Sequence, residues 1–128
     1  MTISHPRYSL AQSLADEIVS SLDGAFSVHF ATIDGFDVAR ACRRNLDASR
    51  VAAMTSSLVA LSCELGRSCD IGDTQGVVLE SSGGYVVARA IPVFGGDLVM
   101  TVVTDRSALL GMVRLQVSEA ARRFADAA

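Results

Sequence analysis

The sequence predicts an α/β (α+β) fold, a three-layer α/β/α sandwich around one five-stranded antiparallel sheet, in the order α-β-β-α-β-β-β-α. Three observations predict it. Three segments carry apolar residues at helical spacing, and five shorter ones read as strands punctuated by glycine turns. The last three strands are apolar on both faces: Val77 and Leu79 oppose Val78, while Leu98, Met100 and Val102 oppose Val99 and Val103. A sheet with one face in water alternates polar and apolar, so this one needs helices on both sides.

Taken in order, the first helix runs from about Ser9 to Leu22, with Ala11, Leu14, Ala15, Ile18 and Leu22 on one face and Asp16 and Glu17 opposite; Asp23-Gly24 stops it. Phe26, Val28 and Phe30 alternate with Ser27, His29 and Ala31, the period of a strand. Asp34-Gly35 predicts a type I′ hairpin turn, and Phe36 to Cys42 is the return strand. Beyond the polar loop Arg43-Arg44-Asn45, Asp47 or Ser49 caps a long helix reaching about Gly66. A meander follows: Gly76 to Ser81, a turn at Ser82-Gly83-Gly84, then Tyr85 to Val93 with Pro92 marking an end or bulge. Gly95-Gly96 turns into Leu98 to Val103. Asp105 or Ser107 then caps a last helix striped by Leu110, Val113, Val117, Ala121 and Phe124.

The central helix is unusual. Val51 to Cys63 holds no charged residue across 13 positions. Val51, Met54, Leu58, Leu61 and Leu65 form one stripe; Ala52, Ser56, Val59, Ala60 and Cys63 form a second, roughly 160° away around the helix. A helix lying on a sheet needs only one such face. The large residues are expected to fill volume against the sheet, which leaves the small-residue stripe to pack closely on a second copy of the chain.

Composition narrows the function. A chain of 128 residues has room for one domain, 1–128, in which 1–7 read as a flexible N-terminal tail. A net charge of −3 argues against nucleic acid as a partner. No segment has the length of a membrane span or the apolar core of a signal peptide, so a cytoplasmic protein is expected. Cys42, Cys63 and Cys69 form no CxxC pair, and His5 and His29 do not stand at ligand spacing from them, so reduced thiols and no metal are expected. His29 reads as a packed or hydrogen-bonded core residue. There is no GxxxxGK[ST] phosphate loop and no G-x-S-x-G elbow, so neither a cofactor nor catalysis is expected. Arg40, Arg43 and Arg44 read as a solvated loop; they are also the residues available for contact with a partner.

Phe30 to Ala41 (FATIDGFDVARA), Ala52 to Leu61 (AAMTSSLVAL) and Gly111 to Leu115 (GMVRL), in this order and spacing, resemble the Roadblock/dynein light chain family over nearly the whole chain. The resemblance implies a profilin-like fold and a homodimer through the long helix, 49–66. It also implies that strand 75–81, with Val78, pairs across that dimer. The interface residues are then Ala52, Ser56, Val59, Ala60, Cys63 and Val78. Family members are non-catalytic subunits of motor and scaffold complexes, and bacterial forms serve small Ras-like GTPases. The implied function is a homodimeric regulatory adaptor that binds and modulates such a GTPase or its signalling complex. The alternative is a GAF/PAS-like small-molecule sensory module, which would need a roomy, partly polar pocket.

Overall fold

The computed structural model describes residues 6–93 and 97–127. Its elements are α1 (Pro6–Ser21), β1 (Ala25–Thr32), β2 (Asp37–Cys42), α2 (Ala48–Ser68), β3 (Val77–Ser81), β4 (Gly84–Ile91), β5 (Leu98–Asp105) and α3 (Leu110–Asp126). All strand pairs are antiparallel, in the order β2-β1-β5-β4-β3. The sheet therefore has its first hairpin at one edge and β3 at the other. With α1 and α3 on one face and α2 on the other, the fold is the three-layer sandwich the sequence predicts. Helix α1 begins at Pro6, inside the segment read as a tail; residues 1–5 and the Gly95-Gly96 turn lie outside the described residues.

Strand alternation divides the sheet into two unlike faces. Toward α1 and α3 point Val28, Phe30, Val87, Ile91, Leu98, Met100 and Val102, which join Leu14, Ile18, Val113, Val117 and Phe124 in one large core. The Phe30 and Phe124 rings lie 5.6 Å apart at a tilt of 47°, within the favourable range for an aromatic pair. Toward α2 the same strands present shorter or polar side chains, among them Ser27, His29, Ala31, Ala88 and Thr101, all buried. The apolar cluster there is small: Val59, Ala88 and Val99, with Cys63 and Ala90 against it.

Three local readings are corrected. Asp34-Gly35 does not form the two-residue type I′ turn, because that turn needs positive φ at both positions and Gly35 alone has it, at +94°. Instead the Gly35 N–H donates to Thr32 O at 2.9 Å and the Thr32 N–H to Phe36 O at 2.8 Å, so β2 starts at Asp37 rather than Phe36. Asp105 and Ser107 do not cap α3. The Asp105 carboxylate accepts the Ser107 N–H at 2.8 Å and closes the turn after β5, and α3 starts beyond Leu109 without a side-chain cap. β4 ends at Ile91, before Pro92, whose missing N–H cannot extend the ladder. At α2, the choice between Asp47 and Ser49 falls to Asp47, whose carboxylate accepts the Arg50 N–H at 3.2 Å.

Candidate functional site

Helix α2 carries two apolar stripes, and their orientation is the reverse of the expected one. Ala52, Ser56 and Val59 are buried within the chain, and Cys63 packs half-buried beside Val59. Ser56 Oγ donates to Thr32 O at 3.1 Å, pinning the helix to the end of β1. Thr55, also buried, returns its hydroxyl to Val51 O at 2.8 Å. The physical reason lies in the sheet. Its buried α2 face is built from alanines, a serine, a threonine, a histidine and Val99, and a helix can approach such a shallow surface closely only through short side chains. Ala52, Ser56 and Val59 therefore have no surface left to give a second copy. Of the residues expected to meet one, Ala60 is exposed on α2, and Val78 is 42% exposed on β3.

The large stripe faces solvent. Met54 is 61% exposed, Leu61 68% and Leu65 63%, with Val51 and Leu58 half-buried beside them. These residues recur at spacings of three and four and so form one line along the helix. A run of exposed large aliphatics of this kind marks a surface built to be covered. The line leads toward β3: α2 contacts that strand, and Thr74 Oγ, just before it, donates to Ser62 O at 2.9 Å. Among the described residues strand β3 is the sheet edge, paired only to β4, and four of its five residues are exposed. An unpaired edge presents free N–H and C=O groups, a template for another strand.

On the opposite side of that edge lies a groove of about 320 Å³ between β3 and α3, lined by Gln75, Val78, Val87, Arg89, Arg114 and Ser118 among others. The Arg89 guanidinium reaches Ser118 Oγ at 3.5 Å. Among the described residues no carboxylate forms an ion pair with Arg89 or Arg114. Sequence reasoning did not find this groove, because its two arginines are brought together only where α3 crosses β4.

Arg40, Arg43 and Arg44 do not converge. Arg40 pairs with Asp37, and the Arg44 guanidinium sits 3.8 Å over the Phe26 ring, a cation–π contact. The Arg43 N–H donates to Phe26 O at 2.7 Å, and its side chain is exposed. His29 is buried as the sequence predicts; Nε2 is hydrogen-bonded to Ser27 Oγ, which lies 3.2 Å from Cys42 Sγ. Burial pushes its pKa below the ordinary 6.5, against the opposing pull of the Asp37 carboxylate, with Arg40 adding a smaller push down. Among the described residues, His29 Nδ1, Asp37 Oδ1 and Thr101 Oγ1 are buried without hydrogen-bond partners. Among the described residues no three His, Cys, Asp or Glu side chains stand close enough to hold a metal ion, and no helix is long and apolar enough to cross a membrane.

No protein-family model and no curated protein matches the sequence. Solved structures do match. Myxococcus xanthus MglB superimposes with a TM-score of 0.80 at 20% identity, covering 95% of this chain and 90% of that one. The gliding protein MglB from Thermus thermophilus gives 0.82 at 18% identity, over 100% and 97% of the two chains. A Roadblock/LC7 domain from Streptomyces avermitilis gives 0.75 at 22% identity, over 88% and 92%. The element order, the edge position of β3 and the single helix on the second face of the sheet thus coincide with a known architecture over the whole described chain: this protein has the Roadblock/LC7 fold.

Proposed function

We propose that the chain is a non-catalytic, homodimeric regulatory adaptor of the Roadblock type, a single domain over 1–128 that binds and modulates a small Ras-like GTPase or its signalling complex in the cytoplasm. One observation carries the proposal: the exposed Met54, Leu61 and Leu65 line on α2, lying beside an unpaired edge strand. Two copies related by a twofold axis cover both features at once, α2 against α2 and β3 against β3, as an isologous interface requires. In this reading the interface keeps Ala60 and Val78 from the sequence expectation and replaces Ala52, Ser56, Val59 and Cys63 by the large stripe. The partner class follows from the family resemblance in the sequence. Arg40, Arg43 and Arg44 serve that partner as separate basic contacts, Arg40 beside Asp37 and Arg44 over the Phe26 ring.

Leu61→Arg tests the reading. Leu61 is exposed, so a substitution there changes the stability of a single copy by no more than about 0.5 kcal/mol. Sedimentation should find a dimer for the native chain and a monomer for the variant, with the same circular dichroism. Capture from the native host should recover a Ras-like GTPase with the native chain and lose it with the variant. A native chain that sediments as a monomer, or captures no GTPase or signalling protein, defeats the proposal.

A further inference from the structure

The groove between α3 and β3 is lined by Arg89 and Arg114, neither of which has a carboxylate partner among the described residues, over an apolar floor of Val78 and Val87, in a chain whose net charge is −3. Such a site calls for an acid, because a guanidinium fork can hold a carboxylate through two parallel hydrogen bonds. Glu80 lies on the same edge strand, exposed and itself without an ion pair among the described residues. Val78 pairs with Val87 and Glu80 with Tyr85, so strand alternation puts Val78 and Glu80 on the α3 face, with Gly76 in phase ahead of them. The edge thus carries its positive groove and its acid on one face, four residues apart in phase. That is a self-complementary pattern.

We propose that, in the homodimer, the carboxylate of the partner subunit's Glu80 enters this groove and is held by Arg89 and Arg114, with the same contact repeated by symmetry. The inference rests on the dimer reading above and adds to it a register and an ionic lock. When two copies of one strand pair antiparallel about a twofold axis, the residue on the axis faces its own copy and its neighbours face each other in reverse order. An axis through Val78 sets valine against valine and Leu79 against Val77. It also sets the partner's Glu80 opposite Gly76, at the roughly 4.5–5.5 Å typical of facing residues. Gly76 lines the groove and has no side chain to obstruct the incoming carboxylate. An axis through Glu80 would instead set two carboxylates face to face, which is unfavourable. Between these two registers, charge and space favour the first.

Reciprocal charge reversal tests the lock. Arg114→Glu and Glu80→Arg are made separately in the full chain; both positions are exposed, and circular dichroism checks folding. Sedimentation equilibrium should give each variant a dimer Kd raised about tenfold or more, since like charges now meet at both symmetric contacts. An equimolar mixture of the two should recover a 1:1 heterodimer with near-native Kd, because both of its contacts then join opposite charges. If both variants dimerise as the native chain does, the lock is wrong and the dimer stands. Weakening of both without rescue in the mixture also overturns the lock. A native chain that is monomeric at the same concentrations overturns the dimer reading itself.

Discussion

The two faces of the sheet are made by the same five strands yet are built on opposite terms. Toward α1 and α3 lies a deep layer of Phe30, Met100, Val102, Ile91 and their neighbours, closed by the large residues of two helices. Toward α2 lies a shallow layer of alanine, serine, threonine, histidine and a single fully buried valine, Val99, closed by the small residues of one helix. The deep face supplies most of the burial that folds the chain. On the shallow face the helix sits close and sends its own large residues outward. The difference teaches that the apolar excess of the sequence is not distributed by helix but by what each sheet face has room for.

The contrast can be broken most severely from the deep side. Phe30→Ala removes a ring that is fully buried and packed at a tilt against Phe124, and it should cost about 3–5 kcal/mol by urea denaturation. On the shallow side the damaging change is an addition. Ala88→Leu drives a larger side chain into the close contact with Val59, at a cost of about 1–3 kcal/mol. Hydrogen exchange should accelerate selectively in α2, leaving α1 and α3 protected; equal acceleration in all three helices would show that the two faces are one cooperative unit.

The smallest effect is a slope with pH. His29 sits in the shallow layer with its pKa lowered by burial, so the native state resists a proton that the unfolded chain accepts near 6.5. Its contribution to stability is therefore complete above 6.5 and is lost as the pH falls below that value. His29→Gln should flatten the dependence in that window, measured as the denaturation midpoint at successive pH values. A slope left intact would assign it to another group.

Much of the architecture was legible in the residues. All eight elements appear where periodicity and turn residues place them, and two-sided apolar strands correctly called for helices on both faces. The errors are local or relational. Asp34 kept an ordinary φ because a longer loop with Gly35 alone in the left-handed region also closes the hairpin. Asp105 bonded to Ser107 in its own turn before it could cap α3. Of the candidate interface, Ala60 and Val78 stand exposed, but Ala52, Ser56 and Val59 are buried, since a helical period identifies opposite faces without saying which one turns inward. A signal was present: Ala31, Ala88 and Ala90 alternate with larger residues on the strands, and a small sheet face asks for a small helix face.

By itself, the sequence determined the element order, the layer count and the existence of a helix with two apolar sides, because each depends on neighbours within a few positions along the chain. Only the tertiary structure decided that α2 turns its small side inward and its leucines out, and that Arg89 and Arg114 share a groove beside the edge that carries Glu80. Those outcomes depend on the volumes and charges of side chains contributed by strands and helices far apart in sequence, which meet only once the sheet is in register.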